Sequence, residues 1–206
     1  MDNKVTLYGA SGHGKVIIDI LESMGVEIDC ILDDNPNLHR ILNYPIAKPD
    51  VKDVEHNRRV IFSIGNNAVR KMLSEKMNCT FAKAIHQSAV ISPHSKVSEG
   101  TVVMAGVIIN PDTTVGKHCI INTGAVVEHD CVIADFVHLS PHVSLAGNVH
   151  VMEGAHVGIG ASVIQGVRIG KWATVGAGAV ILKDVPDYAV VVGNPGKIIK
   201  YNTKNE

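Results

Sequence analysis

Aromatic side chains are scarce in this chain: one Trp, three Phe and four Tyr make up 4% of its 206 residues. That argues against a globular core filled by rings, although a hydrophobic content of 46% is ample for burial. Neither sign of charge is in excess, with a formal net charge of −1 and a pI near 6.8. Without a basic run there is no electrostatic footprint for nucleic acid or a membrane surface, so the expected partner is a small molecule. No apolar stretch approaches the roughly 18 residues of a membrane span. Met1-Asp2-Asn3-Lys4 followed by the short run Val5 to Tyr8 does not read as a signal peptide, which leads us to expect a cytoplasmic protein. The cysteines Cys30, Cys79, Cys119 and Cys131 lack CxxC spacing and read as reduced core thiols.

What the chain has in abundance is a repeat. From Ile91 to Ile181 every sixth residue, sixteen in all, is Val, Ile or Leu. Four residues after each comes a small or slim one, such as Thr101, Val107, Cys119, Ala125, Cys131 or Ala179. A helix would repeat every 3.6 residues and a strand every 2. A sustained period of six instead specifies a hexapeptide β-solenoid, in which each hexad gives one short strand and a turn, and stacked coils satisfy one another's backbone at about 4.8 Å. The large aliphatic fills the interior, and the residue two places before it must be small because it points inward near a corner.

Upstream, Val5 to Tyr8 reads as a buried strand, the loop Gly9-Ala10-Ser11-Gly12-His13-Gly14 follows, and Lys15 to Met24 has helical spacing. Ile28 to Leu32 and Val60 to Ile64 read as further strands, Ala68 to Met77 as a polar helix, and Phe81 to Ile85 as a last strand. Strands alternating with helices predict a small parallel sheet. The expected organisation is an α/β Rossmann-like domain over 1–85, the β-helix over 86–185 and a closing segment with a frayed tail over 186–206.

The glycine loop lies between a strand and a helix, where backbone amides can approach a phosphate and the helix N-terminus favours its charge. Asp33 and Asp34 follow about 20 residues later at a strand end, as a ribose-binding acid does. This combination suits a nucleotide or nucleotide-sugar; the alternative is a structural turn. The spacing departs from GxGxxG, and so small a domain fits a nucleoside diphosphate better than a dinucleotide. In the solenoid, His129 and Asp130 fall at a turn between faces and project outward. An imidazole beside a carboxylate suits a general base for acyl transfer, against the reading of an ordinary surface histidine. His138, His150 and His156 share a phase, with His138 and His156 on one column; a solvated edge, a ligand groove and a set of metal ligands all fit that pattern.

Taken in order, Gly9-Ala-Ser-Gly-His-Gly14, Leu32-Asp-Asp34, Ile64-Gly-Asn-Asn67, Asn122, Glu128-His-Asp130, Ala146-Gly-Asn148 and Val192-Gly-Asn-Pro-Gly-Lys197 resemble the sialic acid O-acetyltransferase and UDP-4-amino-sugar N-acetyltransferase family, in pattern most like its bacillosamine-pathway branch. The resemblance implies a left-handed parallel β-helix with three hexads per coil, about five coils, and a homotrimer with acetyl-CoA lying between subunits. It also implies N-acetylation of a UDP-linked 4-amino-sugar in bacterial glycan biosynthesis, without a metal. His129 would be the base, Asp130 its neighbouring acid, Asn122 a supporting polar residue and Gly147 the oxyanion amide. His138, Gly147, Ile159 and Ala177 would contact acetyl-CoA; Ser11, Gly12, His13, Asp33, Asp34 and Gly65 would hold the UDP-sugar. Asp130 is shorter than the usual Glu, and Gly196 stands where Ala is common. The alternatives are O-acetylation of sialic acid, a zinc lyase of the γ-carbonic-anhydrase type, and a binding protein with a dead site.

Overall fold

A computed structural model describes residues 4–49 and 59–203. The first three residues of the opening and the last three of the expected tail lie outside them. Four strands, β1 (Lys4–Tyr8), β2 (Glu27–Leu32), β5 (Arg59–Phe62) and β6 (Thr80–Phe81), run parallel. A hairpin of β3 (Arg40–Ile41) and β4 (Tyr44–Ala47) extends the sheet, whose order is β3-β4-β2-β1-β5-β6. The central strand β1 is buried from Val5 to Tyr8, as a parallel strand covered on both faces must be. Helices α1 (Gly12–Ser23) and α2 (Asn67–Lys76) follow β1 and β5.

The remainder is a three-sided parallel β-helix. Its first face stacks Ala84–Ile85, Val102–Val103, Ile120–Ile121, His138–Leu139, His156–Val157 and Thr174–Val175, closed by Ala189–Val192 and an antiparallel strand, Lys197–Tyr201. The second face runs from Val90–Ile91 to Val180–Ile181 and the third from Lys96–Val97 to Arg168–Ile169. Residue i pairs with i+18 on each face, as in Val103↔Ile121↔Leu139↔Val157, until the closing pairs Val175↔Val191 and Ile169↔Val185 shorten the step to 16. The predicted large and small positions together form one continuous buried core from Val103 to Val191. Sheet membership divides the expected strand Phe81 to Ile85. Phe81 pairs within the first sheet, whereas Ala84–Ile85 is the lowest rung of the solenoid.

From Gly100 to Gly178 each corner is a two-residue turn whose second residue is left-handed. At the corner after the second face these residues are Asp112, Asp130, Asn148 and Gly166, with φ between 57° and 72°, the residue types that tolerate that region best. At the corner before the first face, His118, Phe136, Trp172 and Tyr188 adopt it too, with φ of 53–63°. Aromatic residues there cost on the order of 1 kcal/mol or more each. Packing offsets that cost for the buried His118, whose ring lies among Phe62, Phe81 and Phe136 at centroid distances of 4.4–5.5 Å.

The outward column of the first face explains where the N-terminal domain docks. Ala84, Val102 and Ile120 are at most 1% exposed and share a core with Ile17, Ile20 and Leu21 of α1. Burying each Val or Ile contributes roughly 1.5–3 kcal/mol. One coil further on the column turns polar, with His138, His156 and Thr174 half-buried, and there the sheet lifts away into clefts.

Candidate active site

Two groups of polar side chains emerge. The first lines a cleft within the N-terminal domain and a second between that domain and the first face. Ser11 is the N-cap of α1, but its side chain makes no capping bond, which leaves the hydroxyl for a ligand. Asp33 accepts from the Ala10 amide at 2.7 Å and the Asn35 amide at 2.8 Å, so it ties the glycine loop to the end of β2. Asp34 accepts from the Tyr8 hydroxyl at 2.9 Å; burial, then that bond, pushes the phenol up to about 12, so it stays a donor. These residues, with Ser63 and Gly65, enclose about 170 Å³. A β-carbon at Gly14 would meet the Gly9 carbonyl at 3.1 Å, which is why helix and loop can approach so closely only with glycine there. Around Gly12 and Gly65 the space is open.

His13 and His138 lie near each other and near Arg70. Burial, with Arg70 adding to it, lowers His13 to about 4, and its Nε2 is buried with no hydrogen-bond partner among the described residues. His138 is lowered to about 3 by burial, then by His156, Arg70 and His13. Its Nε2 lies 3.3 Å from the Asn122 amide nitrogen, and its ring stacks on that of His156 at 4.7 Å. His156 Nε2 meets Ser140 Oγ at 2.8 Å. The ladder read from the sequence is therefore an inward-facing wall, with His150 on another face beside Asn148. A second cleft of about 310 Å³ adjoins it, between Gly65–Ala68 and His156, Trp172, Thr174 and Asn202.

The second group sits on the corner between the second and third faces. His129 Nδ1 lies 2.8 Å from Asp130 Oδ2, and both side chains are well exposed, at 62% and 58%. The left-handed φ of Asp130, 61°, turns its carboxylate back to the preceding ring. That bond, more than the other nearby charges, raises the proton affinity of His129. With Nδ1–H donated to Asp130, the neutral ring leaves Nε2 as the acceptor. One coil on, Gly147 lies against the ring: a β-carbon there would stand 2.6 Å from His129 Cε1 and 2.8 Å from Nε2. Glu128 accepts from Asn110 at 2.8 Å, which holds the same turn.

His129, Asp130 and Gly147 are thus brought together, whereas Asn122 stands on the first face beside His138. Ile159 and Ala177 lie on the corner between the first and second faces, one coil apart. The candidate residues occupy three places around a prism. Sequence reasoning missed Arg70, which is 1% exposed and ties α2 to the solenoid, because a charged residue in a polar helix reads as solvated. It also missed Trp172, whose ring covers Gly154. Among the described residues no three His, Cys, Asp or Glu side chains converge as a metal site, and no helix is long and apolar enough to cross a membrane.

Residues 4–77 match the PglD N-terminal domain family. In its solved relatives the likeness extends over nearly the whole chain. PerB from Caulobacter crescentus, solved with CoA and GDP-perosamine, is 41% identical, with 96% of this chain and 97% of that one covered and a TM-score of 0.91. The chain belongs to the hexapeptide-repeat sugar acetyltransferase family. A further member is the acetyltransferase domain of PglB from Neisseria gonorrhoeae FA1090, solved with acetyl coenzyme A, which is 31% identical over 97% of this chain and 100% of that one with a TM-score of 0.91. The UDP-N-acetylbacillosamine N-acetyltransferase of Bacillus subtilis (strain 168) is 42% identical over 110 residues, 49% of this chain and 51% of that protein, so the match spans about half its length.

Proposed function

We propose that this protein transfers an acetyl group from acetyl-CoA to the amino group of a nucleoside-diphosphate 4-amino-sugar, UDP-linked, in bacterial glycan biosynthesis. The observation that carries the reading is the exposed His129–Asp130 pair beside the bare Gly147. That corner has a base, an acid to hold it and room for a thioester, while a nucleotide-sized cleft is built elsewhere on the same chain. The amine nitrogen attacks the thioester carbonyl, its proton passes to His129 Nε2, the C–N bond forms and the C–S bond breaks to release CoA thiolate, which takes up a proton. Asp130 stabilises the imidazolium, and the Gly147 amide takes the developing oxyanion. Ser11, Gly12, His13, Asp33, Asp34 and Gly65 hold the nucleotide and its phosphates; Asn122 supports the reacting groups; His138, Ile159 and Ala177, with Gly147, bed the CoA.

On a single chain these places are too dispersed to act together. A neighbouring copy that brings its His129 corner against this chain's first face completes the site, and three such copies close into a homotrimer. The second face supports this, since its outward Val90 and Ile108 are 65% and 37% exposed and would be covered. The test is a thiol-release assay with acetyl-CoA against UDP- and GDP-linked 4-amino-sugars and sialic acid. Turnover on the UDP-amino-sugar is expected. Turnover confined to the GDP-sugar corrects the base, and turnover on sialic acid alone moves the reaction to O-acetylation.

A further inference from the structure

A buried guanidinium crosses from the N-terminal domain to the solenoid. Arg70 Nε donates to the His118 carbonyl at 3.1 Å, Nη1 to those of Ile64 and Gly65 at 3.0 Å each, and Nη2 to Asn67 Oδ1 at 2.8 Å and the Phe136 carbonyl at 3.2 Å. These five bonds match the five N–H donors of the group. Every acceptor is neutral, and among the described residues no carboxylate forms an ion pair with Arg70. A buried charge left without a counter-charge is costly, and a neutral side chain would serve packing alone at less cost. The position of this charge suggests what it is for. The Ile64–Gly65 carbonyls it engages belong to the rim shared by both clefts, since Gly65 lines each of them.

We propose that Arg70 is a positioning residue for the acceptor: it presets the cleft for the diphosphate of a nucleotide-sugar by lending it an unpaired charge and by masking the rim carbonyl oxygens. This rests on the acceptor class assigned above. Two consequences follow from the geometry. The carbonyls of Ile64 and Gly65 each turn a lone pair to the guanidinium, which lessens the negative charge they present to an incoming anion. The charge itself is little screened in so buried a place.

The surroundings of His138 show the division of labour. The titratable groups that act on it are His156 from the next coil, Arg70 from α2 and His13 from α1, and none is an acid. Arg70 helps to hold all three imidazoles neutral. Its own value, lowered by burial to about 10, leaves it charged at neutral pH. Positive charge in the cleft is thereby assigned to a group that does not titrate near neutrality, and diphosphate affinity is expected to be flat between about pH 6 and 8.

The experiment is calorimetric binding of UDP and GDP at pH 6 and pH 8 to the unaltered chain, Arg70→Gln and Arg70→Lys, with CoA as the control ligand and thermal melting to confirm folding. Arg70→Gln should weaken nucleoside-diphosphate binding at pH 8 about tenfold or more. The loss should be much the same at pH 6, because burial is the largest cause that keeps the neighbouring histidines neutral, with CoA affinity kept within about twofold. Arg70→Lys should stay within about threefold of the unaltered chain at both pH values. Should Arg70→Gln fail to fold, Arg70→Lys decides: a folded lysine variant that loses tenfold or more overturns the role of the charge. Unchanged binding by Arg70→Gln, or equal losses in both variants at both pH values, also overturns it. An unaltered chain that binds neither nucleotide overturns the acceptor reading itself. The effect of the charge is then read separately, from a His138 ring titration that Arg70→Gln raises and Arg70→Lys leaves low; a titration that Arg70→Gln does not raise rejects it.

Discussion

The corner at His129 and the wall at His138 use the same side chain to opposite ends. His129 is exposed, and the adjacent Asp130 raises its affinity for a proton. His118 is buried and His13, His138 and His156 are half-buried around a guanidinium, and all four are held neutral, with His13 and His118 lowered to about 4 and His138 to about 3. Burial is the largest cause in each of the four. Environment rather than residue type therefore separates a ring suited to act as a base from the rings of the wall. Among these five rings, only His129 is suited to accept a proton from an attacking amine near neutral pH.

The sharpest way to break this contrast is to remove the base. His129→Ala should lower acetyl-transfer turnover by roughly 10²–10⁴ while sparing CoA affinity; turnover within a few fold of the unaltered chain would take the role away from His129. Next in size is Gly147→Ala. Its β-carbon would overlap the His129 ring while meeting no buried core, so turnover should fall by about 10- to 100-fold with little change in melting temperature. A drop in melting temperature with activity kept would show that the glycine serves the fold.

The buried rings predict a stability effect of definite sign. Their folded values are lowered from 6.5, so the unfolded chain takes up protons first as the pH falls. Their contribution is complete above about 6.5 and is lost progressively as the pH drops towards 4. The melting midpoint should fall by about 5 °C or more between pH 7 and 5; an unchanged midpoint would mean that these rings are not held neutral. The smallest effect belongs to Asp130→Asn, which keeps the shape and removes the charge. The acidic limb of the rate profile should move to lower pH, with turnover down by about tenfold, whereas an unmoved limb would show that Asp130 does not tune the base.

The solenoid was legible because its rule is local. One inward aliphatic every six residues specified the solenoid, its core and the outward corner that carries His129, whereas its three faces came from the family resemblance. The glycine loop and Asp33 were legible as a strand-to-helix turn, although both Asp33 oxygens turn out to be engaged by amides of the loop and of Asn35. What stayed hidden is tertiary. Ile85 shares the six-residue phase, yet it follows Phe81 in an apolar run, and only the pairing of Ala84 with Val102 assigns it to the solenoid. The outward column Ala84, Val102, Ile120, His138 becomes informative only once α1 lies on it. Arg70 gives no sequence signal, because its five acceptors come from three separate stretches of chain. His138 reads as a contact for CoA by resemblance, and the sequence alone does not show that its Nε2 meets Asn122 and its ring stacks on His156.

The contrast between corner and wall is tested most directly by an NMR titration of histidine ring carbons in the unaltered protein. The account predicts that His129 titrates above the ordinary histidine value and that His13, His118, His138 and His156 titrate below it. A His129 that titrates at or below the ordinary value, or a His138 charged at neutral pH, would contradict it.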